Sequence, residues 1–228
     1  MRLSFDRELQ RLQDGVLSMG SEVQEHLIQV TSAFVARDLV ASQRLIDADR
    51  SINERRIRIG LDALTLIATQ APMAGDMRMI GAILETVGEL ERIHDYIKGI
   101  GRISLNLGPE PIPQSLAPRL PEMAEIAGEM LSQALKAFAN RDQALARQVP
   151  EMDDRVDSLF KELYGEIISL VLADPSQIDR ANQLEWALHN LERSADRTIN
   201  ICEWVVYMVT GVYAEMGMGE HESPPSRR

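Results

Sequence analysis

The sequence contains the same helical pattern twice. The motif Leu-Glu-Arg-x-x-Asp occurs at residues 90–95 and again at 191–196, an offset of 101 (191 − 90). A second motif, Ala-Phe-x-x-Arg-Asp, occurs at 33–38 and at 137–142, an offset of 104 (137 − 33). Two motifs repeated in the same order at nearly equal offsets indicate an internal duplication. The chain is therefore expected to fold into two similar units.

Apolar residues recur at spacings of three and four along six segments of the chain, which is typical of amphipathic helices. Only 4% of the residues are aromatic, and Leu, Ala, Met, Glu and Arg are abundant. This composition favours helices over sheets. The predicted fold class is all-α, with two tandem, pseudo-symmetric three-helix bundles.

Prolines mark the predicted boundaries. A proline-rich stretch separates the two repeats, and single prolines follow the second and fifth predicted helices. The fifth helix is predicted to run without a break from Val149 to Leu170 and to end at Asp174. The predicted organisation is a first bundle at 1–106, a linker at 107–121, a second bundle at 122–215 and a flexible tail at 216–228.

The net charge of −11 argues against a general nucleic-acid or anionic-membrane binder, because Lys and Arg dominate contacts with phosphate groups. Cys202 is the only cysteine, so no intrachain disulfide is expected. The N-terminus lacks the apolar block of a signal peptide, and the longest strongly apolar stretch, 204–214, is too short to span a bilayer. A cytoplasmic protein without direct membrane insertion is expected.

The repeated motif presents carboxylates in pairs. Glu91 and Asp95, and likewise Glu192 and Asp196, are four residues apart and so project from one helix face. Such hard oxygen ligands suit a metal ion. The same hypothesis includes Asp49 and Asp153, which interrupt apolar stripes on the facing helices. It also includes Asp157, beside the same face as Asp153, and Asn200, one turn after Asp196. The alternative is that the motif carboxylates form surface salt bridges with Arg92, Arg193 and neighbouring helices.

Histidine and catalytic motifs add little. His94 and His189 lie near the two motifs and either could supply a nitrogen ligand, although a surface or packed position is the simpler interpretation; His26 and His221 carry no signal. A di-iron bundle needs a second Glu-x-x-His, and the chain has Ala195 there. No catalytic constellation is found, so an enzyme is not expected. A metal-binding helical-bundle enzyme or a metal store remains the alternative function.

Several segments together resemble the PhoU family of phosphate-specific transport accessory proteins. They are the Gln-Ala-Pro-Met-Ala-Gly-Asp-Met-Arg turn at 70–78, both Leu-Glu-Arg-x-x-Asp motifs, and shorter matches at 5–9, 37–38 and 47–52. The resemblance extends from about residue 3 to 213. It implies two three-helix bundles in a protein that is usually dimeric and that has no established catalytic reaction.

The resemblance also implies function and partners. A PhoU-like protein negatively regulates phosphate-starvation signalling when phosphate is plentiful, through contacts with the phosphate ABC transporter ATPase and a sensor histidine kinase. Some members bind metal at the repeated motifs, which carries over to Glu91, Asp95, Glu192 and Asp196; iron, zinc, manganese and magnesium are all open. Departures from the family pattern are Tyr96 and Lys98 after the first motif, and Asn190 before the second.

Overall fold

A computed structural model describes residues 2–216, and within that range the chain contains helices and no strand. The α-helices are α1 (Arg2–Ala36), α2 (Leu39–Gln70), α3 (Ala74–Leu107), α4 (Arg119–Asn140), α5 (Gln143–Gln148), α6 (Asp153–Ala173) and α7 (Ile178–Thr210). The all-α prediction is confirmed. The tail predicted at 216–228 lies outside the described residues except for Met216, whose backbone N–H donates to Glu203 Oε1 at 2.6 Å.

The second helix differs between the repeats. In repeat 1 it is the continuous 32-residue α2. In repeat 2 the same path is divided into α5, a 3₁₀ turn at Val149–Met152 and α6. Pro150 lies in this turn, and a proline lacks the N–H that an α-helix needs and crowds the preceding turn. The prediction of one unbroken helix from Val149 is therefore wrong, while its end at Asp174 is confirmed.

The Arg-Asp end of the second motif joins one helix to the next. Arg37 and Arg141 adopt left-handed backbone conformations, with φ of +58° and +53°, which end α1 and α4. The following residues, Asp38 and Asp142, accept hydrogen bonds from backbone N–H groups in the first turn of α2 and α5. The motif is thus a structural helix stop and helix start, used once in each repeat.

The repeats pack directly against each other. α3 lies along α7 and α1 contacts α4, and one contiguous hydrophobic cluster includes residues from both repeats. A Cβ at Gly20 would lie 2.6 Å from Leu135 Cδ1, and one at Gly99 would lie 2.8 Å from Asn190 Nδ2. These two glycines therefore allow helices of opposite repeats to approach closely.

Two arginines hold the segment between α3 and α4. The Arg37 guanidinium donates to the carbonyl oxygens of Ser104, at 2.8 Å, and of Gly108. Arg180 on α7 donates to the carbonyl oxygen of Pro111. The proline-rich segment is thus fastened to both repeats. None of the helices within residues 2–216 is long and apolar enough to cross a membrane.

Candidate functional site

The repeated motifs form two acidic sites in equivalent positions. Site 1 consists of Asp49 on α2 with Glu91 and Asp95 on α3, where the charges of Asp95 and Asp49 both act on Glu91. Site 2 consists of carboxylates on α6 and α7 that influence one another electrostatically: Asp153, Asp157, Glu192 and Asp196. The structure therefore brings together every predicted motif carboxylate with its predicted partners on the facing helix.

Site 1 contains its own cation. Lys98 Nζ lies 2.5 Å from Asp49 Oδ2 and 3.3 Å from Asp95 Oδ1. Burial alone would raise the pKa of Asp49, but hydrogen bonds from Lys98 and His94 together outweigh burial and hold that pKa below its usual value. The hydrogen bond to Asp49 likewise raises the pKa of Lys98. Asp49 is therefore a charged and paired carboxylate.

Two histidines extend this network into the core. His94 is completely buried, with Nδ1 3.3 Å from Asp49 Oδ1 and Nε2 3.0 Å from His26 Nδ1. Burial lowers the pKa of His94, so the ring is neutral. Because a carboxylate only accepts, His94 Nδ1 carries the proton and His94 Nε2 accepts from His26. His94 is thus a packed residue, and the sequence offered no signal for its contact with His26.

Site 2 lacks both of these groups. The 101-residue offset places Ile199 at the position of Lys98 and Ala195 at the position of His94. Neither side chain can pair with a carboxylate. In repeat 1 Lys98 therefore pairs with Asp49 and Asp95, while Glu91 forms no ion pair within residues 2–216 and its pKa is raised, first by burial and then by the charge of Asp95. Repeat 2 has a fourth carboxylate, Asp157, at the position of Asn53.

Burial and the crowding of like charges raise the pKa values of the carboxylates at site 2. Burial, followed by the charges of Asp196, Asp157 and Glu192, raises the pKa of Asp153 to about 6. Burial and the charges of Asp196 and Asp157 raise the pKa of Glu192 to about 7. The pKa of Asp196 is also raised, mainly by burial and by Asp157. Each shift means that the folded protein disfavours the charged carboxylate.

The nearby arginines contact residues of α3, although the charges of Arg193 and Arg197 also reach Asp196. The Arg193 guanidinium lies 5.1 Å above the ring of Tyr96 on α3. Arg197 Nε lies 3.2 Å from the Tyr96 hydroxyl, and its Nη1 lies 3.7 Å from Glu89. Within residues 2–216 neither Arg92 nor Arg193 forms an ion pair, so the salt-bridge alternative is wrong for these two arginines.

Only weak partners approach site 2 from its own repeat. Lys161 Nζ lies 3.7 Å from Asp157, and both side chains are well exposed. His189 Nδ1 lies 3.2 Å from Glu192 Oε2, but this pair does not have the geometry of a hydrogen bond. Among residues 2–216 the carboxylates of site 2 therefore have no cation as close as Lys98 is to Asp49.

A metal ion fits site 2 better than site 1. Asp153 Oδ1 and Glu192 Oε2 are buried and accept no hydrogen bond, which is costly unless a cation approaches them. At site 1 the ammonium of Lys98 already lies against Asp49 and Asp95. As placed, no three His, Cys, Asp or Glu side chains within 2–216 converge in metal-ligating geometry. Asn200 donates to Glu89 on α3 at 3.3 Å, facing a different surface.

Comparison with known proteins accounts for both repeats. The PhoU domain family model matches residues 16–104 and 120–205. The chain is 30% identical to a phosphate-specific transport system accessory protein PhoU homolog of Rhizobium meliloti, covering 91% of this chain and 88% of that protein. It is 33% identical to the homolog of Aquifex aeolicus, covering 90% and 92%. The crystal structure of PhoU from Pseudomonas aeruginosa superposes with a TM-score of 0.85 at 30% identity, covering 91% of this chain and all of that one.

Proposed function

Because this chain belongs to the PhoU family, we propose that it is a regulatory accessory protein of a phosphate transport system. The observation that carries this proposal is the family match over both repeats, together with relatives that share the whole two-repeat architecture. The family consists of regulatory accessory proteins and not of enzymes. The enzyme alternative is therefore not retained.

The proposed role is negative regulation of phosphate uptake and starvation signalling when phosphate is plentiful. The partners are the ATPase subunit of a phosphate ABC transporter and a sensor histidine kinase, contacted in the cytoplasm by a homodimer. Support for regulation by protein contact comes from the charge of the molecule. A net charge of −11 and two partly buried acidic sites repel inorganic phosphate, so direct capture of phosphate at these sites is unfavourable.

The proposed function is tested by deleting the gene in its own host and measuring phosphate-scavenging gene expression in phosphate-rich medium. Derepression that the intact gene reverses is the expected result. Normal repression in the deletion strain would contradict negative regulation. Binding of the purified full-length chain to the purified phosphate ABC transporter complex tests the contact itself.

Metal binding is proposed for site 2. Carboxylate oxygens suit hard cations such as Mg²⁺ or Mn²⁺, and the neighbouring His189 widens the choice to transition metals such as iron or zinc. A bound cation would remove the mutual repulsion among the four carboxylates and reverse the local charge. At site 1 a metal ion on the family-implied ligands, Glu91 and Asp95, would have to compete with the ammonium of Lys98.

The double variant Glu192→Ala, Asp196→Ala tests this assignment by Mn²⁺ titration calorimetry on metal-free protein. The affinity for Mn²⁺ is expected to fall roughly tenfold or more, because two of the four carboxylate ligands are removed. The matched control is Glu91→Ala, Asp95→Ala, which should retain Mn²⁺ binding. Equal Mn²⁺ content in both double variants would contradict the choice of site 2.

A further inference from the structure

Repeat 2 carries a cluster of ring side chains on its outer surface, here called the aromatic patch: Phe160, Tyr164, Trp186 and His189. Phe160 stacks on Tyr164 with ring centroids 6.2 Å apart, and His189 lies 6.1 Å from Phe160 and 6.2 Å from Trp186. Trp186 is 56% exposed and Tyr164 is 42% exposed. The patch therefore spans α6 and α7 while facing solvent.

Repeat 1 has no counterpart of this patch. The offsets of 104 and 101 place non-aromatic residues at the four equivalent positions: Arg56, Gly60, Glu85 and Gly88. The frame that holds these positions is the same, because the buried residues flanking them correspond, such as Ile59 with Leu163 and Val87 with Leu188. The aromatic patch is thus a surface feature of one repeat and is not required by the fold.

The patch continues along α6. Tyr164, Ile168 and Leu172 follow one another at intervals of four residues and are 42%, 41% and 80% exposed. They form an apolar stripe about 12 Å long, at 1.5 Å per helical residue. Exposed Trp and Tyr side chains next to an aliphatic stripe are typical of protein interaction surfaces, where such residues contribute most of the binding energy.

The charge around the patch indicates the kind of partner. Glu192 of site 2 lies beside His189, and the charge of Glu185, next to Trp186, reaches Glu192. A partner that covers these rings must therefore bring positive charge to the acidic margin. Loops of membrane transporters on the cytoplasmic side are rich in Lys and Arg, which matches this requirement.

We propose that the aromatic patch is the docking surface for a partner segment in which Lys or Arg side chains are set among apolar ones. The apolar side chains would pack on Trp186 and Tyr164, while the cations would face Glu185 and the carboxylates of metal-free site 2. This inference rests on the proposed function, because it names the surface that a basic loop of the transport system contacts.

The test measures binding of the full-length chain to the purified phosphate ABC transporter complex by biolayer interferometry. Trp186→Ala and Tyr164→Ala are each expected to weaken binding at least tenfold, as loss of a central aromatic contact does. Leu61→Ala is the matched control, because Leu61 is 60% exposed on α2 of repeat 1. Glu185→Gln should reduce both the affinity and its dependence on salt. Circular dichroism verifies folding, and Trp186→Gln provides a second, polar replacement.

The outcomes separate the two proposals. If the unmodified chain does not bind the complex, the proposed function and the docking surface both fail. If the unmodified chain binds and the two aromatic variants bind equally well, only the docking surface is wrong. If Trp186→Ala instead abolishes self-association in sedimentation velocity, a second copy of the chain covers the patch and the proposal of a basic partner is overturned.

Discussion

Sites 1 and 2 occupy equivalent positions in the two repeats, yet the carboxylates on their facing helices have different partners. In site 1 the ammonium of Lys98 and the ring of His94 satisfy Asp49. In site 2 Ile199 and Ala195 take those positions, and buried oxygens of Asp153 and Glu192 have no hydrogen-bond partner. Two side chains on one helix therefore decide whether an acidic cluster serves as a structural network or stays available to a cation.

The largest expected effect comes from converting site 1 toward site 2. His94→Ala removes a fully buried ring, leaves His26 without its partner and takes from Asp49 one of its two partners, so the free energy of unfolding should fall by about 2–4 kcal/mol. Urea denaturation followed by far-UV circular dichroism measures the change. The control is His189→Ala, which removes a partly exposed histidine of repeat 2 and should lower the free energy of unfolding by less than about 1 kcal/mol. Equal losses would remove the distinction between the sites.

The reverse conversion introduces a cation into site 2. Ile199→Lys places an ammonium where Lys98 stands in repeat 1, and its long stem can extend toward Asp153 and the surface. Mn²⁺ affinity, measured by titration calorimetry, should fall by about 10–100-fold, or about 1.4–2.7 kcal/mol. Ile199→Met is the control of similar length without charge. Undiminished Mn²⁺ binding by the lysine variant would show that position 199 does not govern site 2.

Removing the cation of site 1 should have a smaller effect. Lys98→Met leaves Asp49 partly buried without its ammonium, which should cost about 1–2 kcal/mol and permit Mn²⁺ to bind at site 1. Thermal unfolding with and without Mn²⁺ measures both consequences. Lys161→Met breaks only an exposed pair and should change stability by less than about 0.5 kcal/mol. A Lys98→Met variant as stable as wild type would contradict the structural role of this ion pair.

A further expected effect is on the pH dependence of the stability of the metal-free protein. The folded-state pKa values of Asp153, about 6, and Glu192, about 7, lie above their ordinary values. Between the ordinary and the folded-state pKa of each carboxyl, the folded protein binds more protons than the unfolded protein. The contribution of these two carboxyls to the free energy of unfolding therefore decreases as pH rises from about 4 to about 7. Denaturant midpoints across this range should show the slope.

A pair of variants tests the origin of that slope. Asp153→Asn with Glu192→Gln should flatten it, because neither side chain titrates. Asp49→Asn is the control and should leave this slope in place, since the lowered pKa of Asp49 means that its contribution to stability is lost chiefly below about pH 4. An unchanged slope in the double variant would assign the pH dependence to other groups.

Periodicity in the sequence predicted the all-α fold and the residues that face each other in both sites. Helical spacing determines which residues share a face, so it predicts the pairs Glu91 with Asp95 and Glu192 with Asp196. It does not determine how far two packed helices are rotated or which partner a long side chain selects. The contact between His26 and His94, 68 residues apart, and the turn of Arg193 toward Tyr96 depend on that rotation.

The aromatic patch was hidden for a different reason. Phe160 follows the apolar stripe of the fifth predicted helix, and the sequence alone assigns such a residue to the core. In the structure its ring is only partly buried and supports Tyr164, whose position in repeat 1 is held by Gly60. Comparison of the two repeats position by position is the signal that would have revealed the patch.

The close approach at Gly20 and Gly99 has a consequence for how this duplicated chain unfolds. Helices of opposite repeats meet there at distances that leave no room for a methyl group, and their side chains share one apolar cluster. Separating the repeats would expose that cluster on both sides. We therefore expect the chain to unfold in a single cooperative transition. Neither repeat should stay folded alone, so the two copies form one thermodynamic unit.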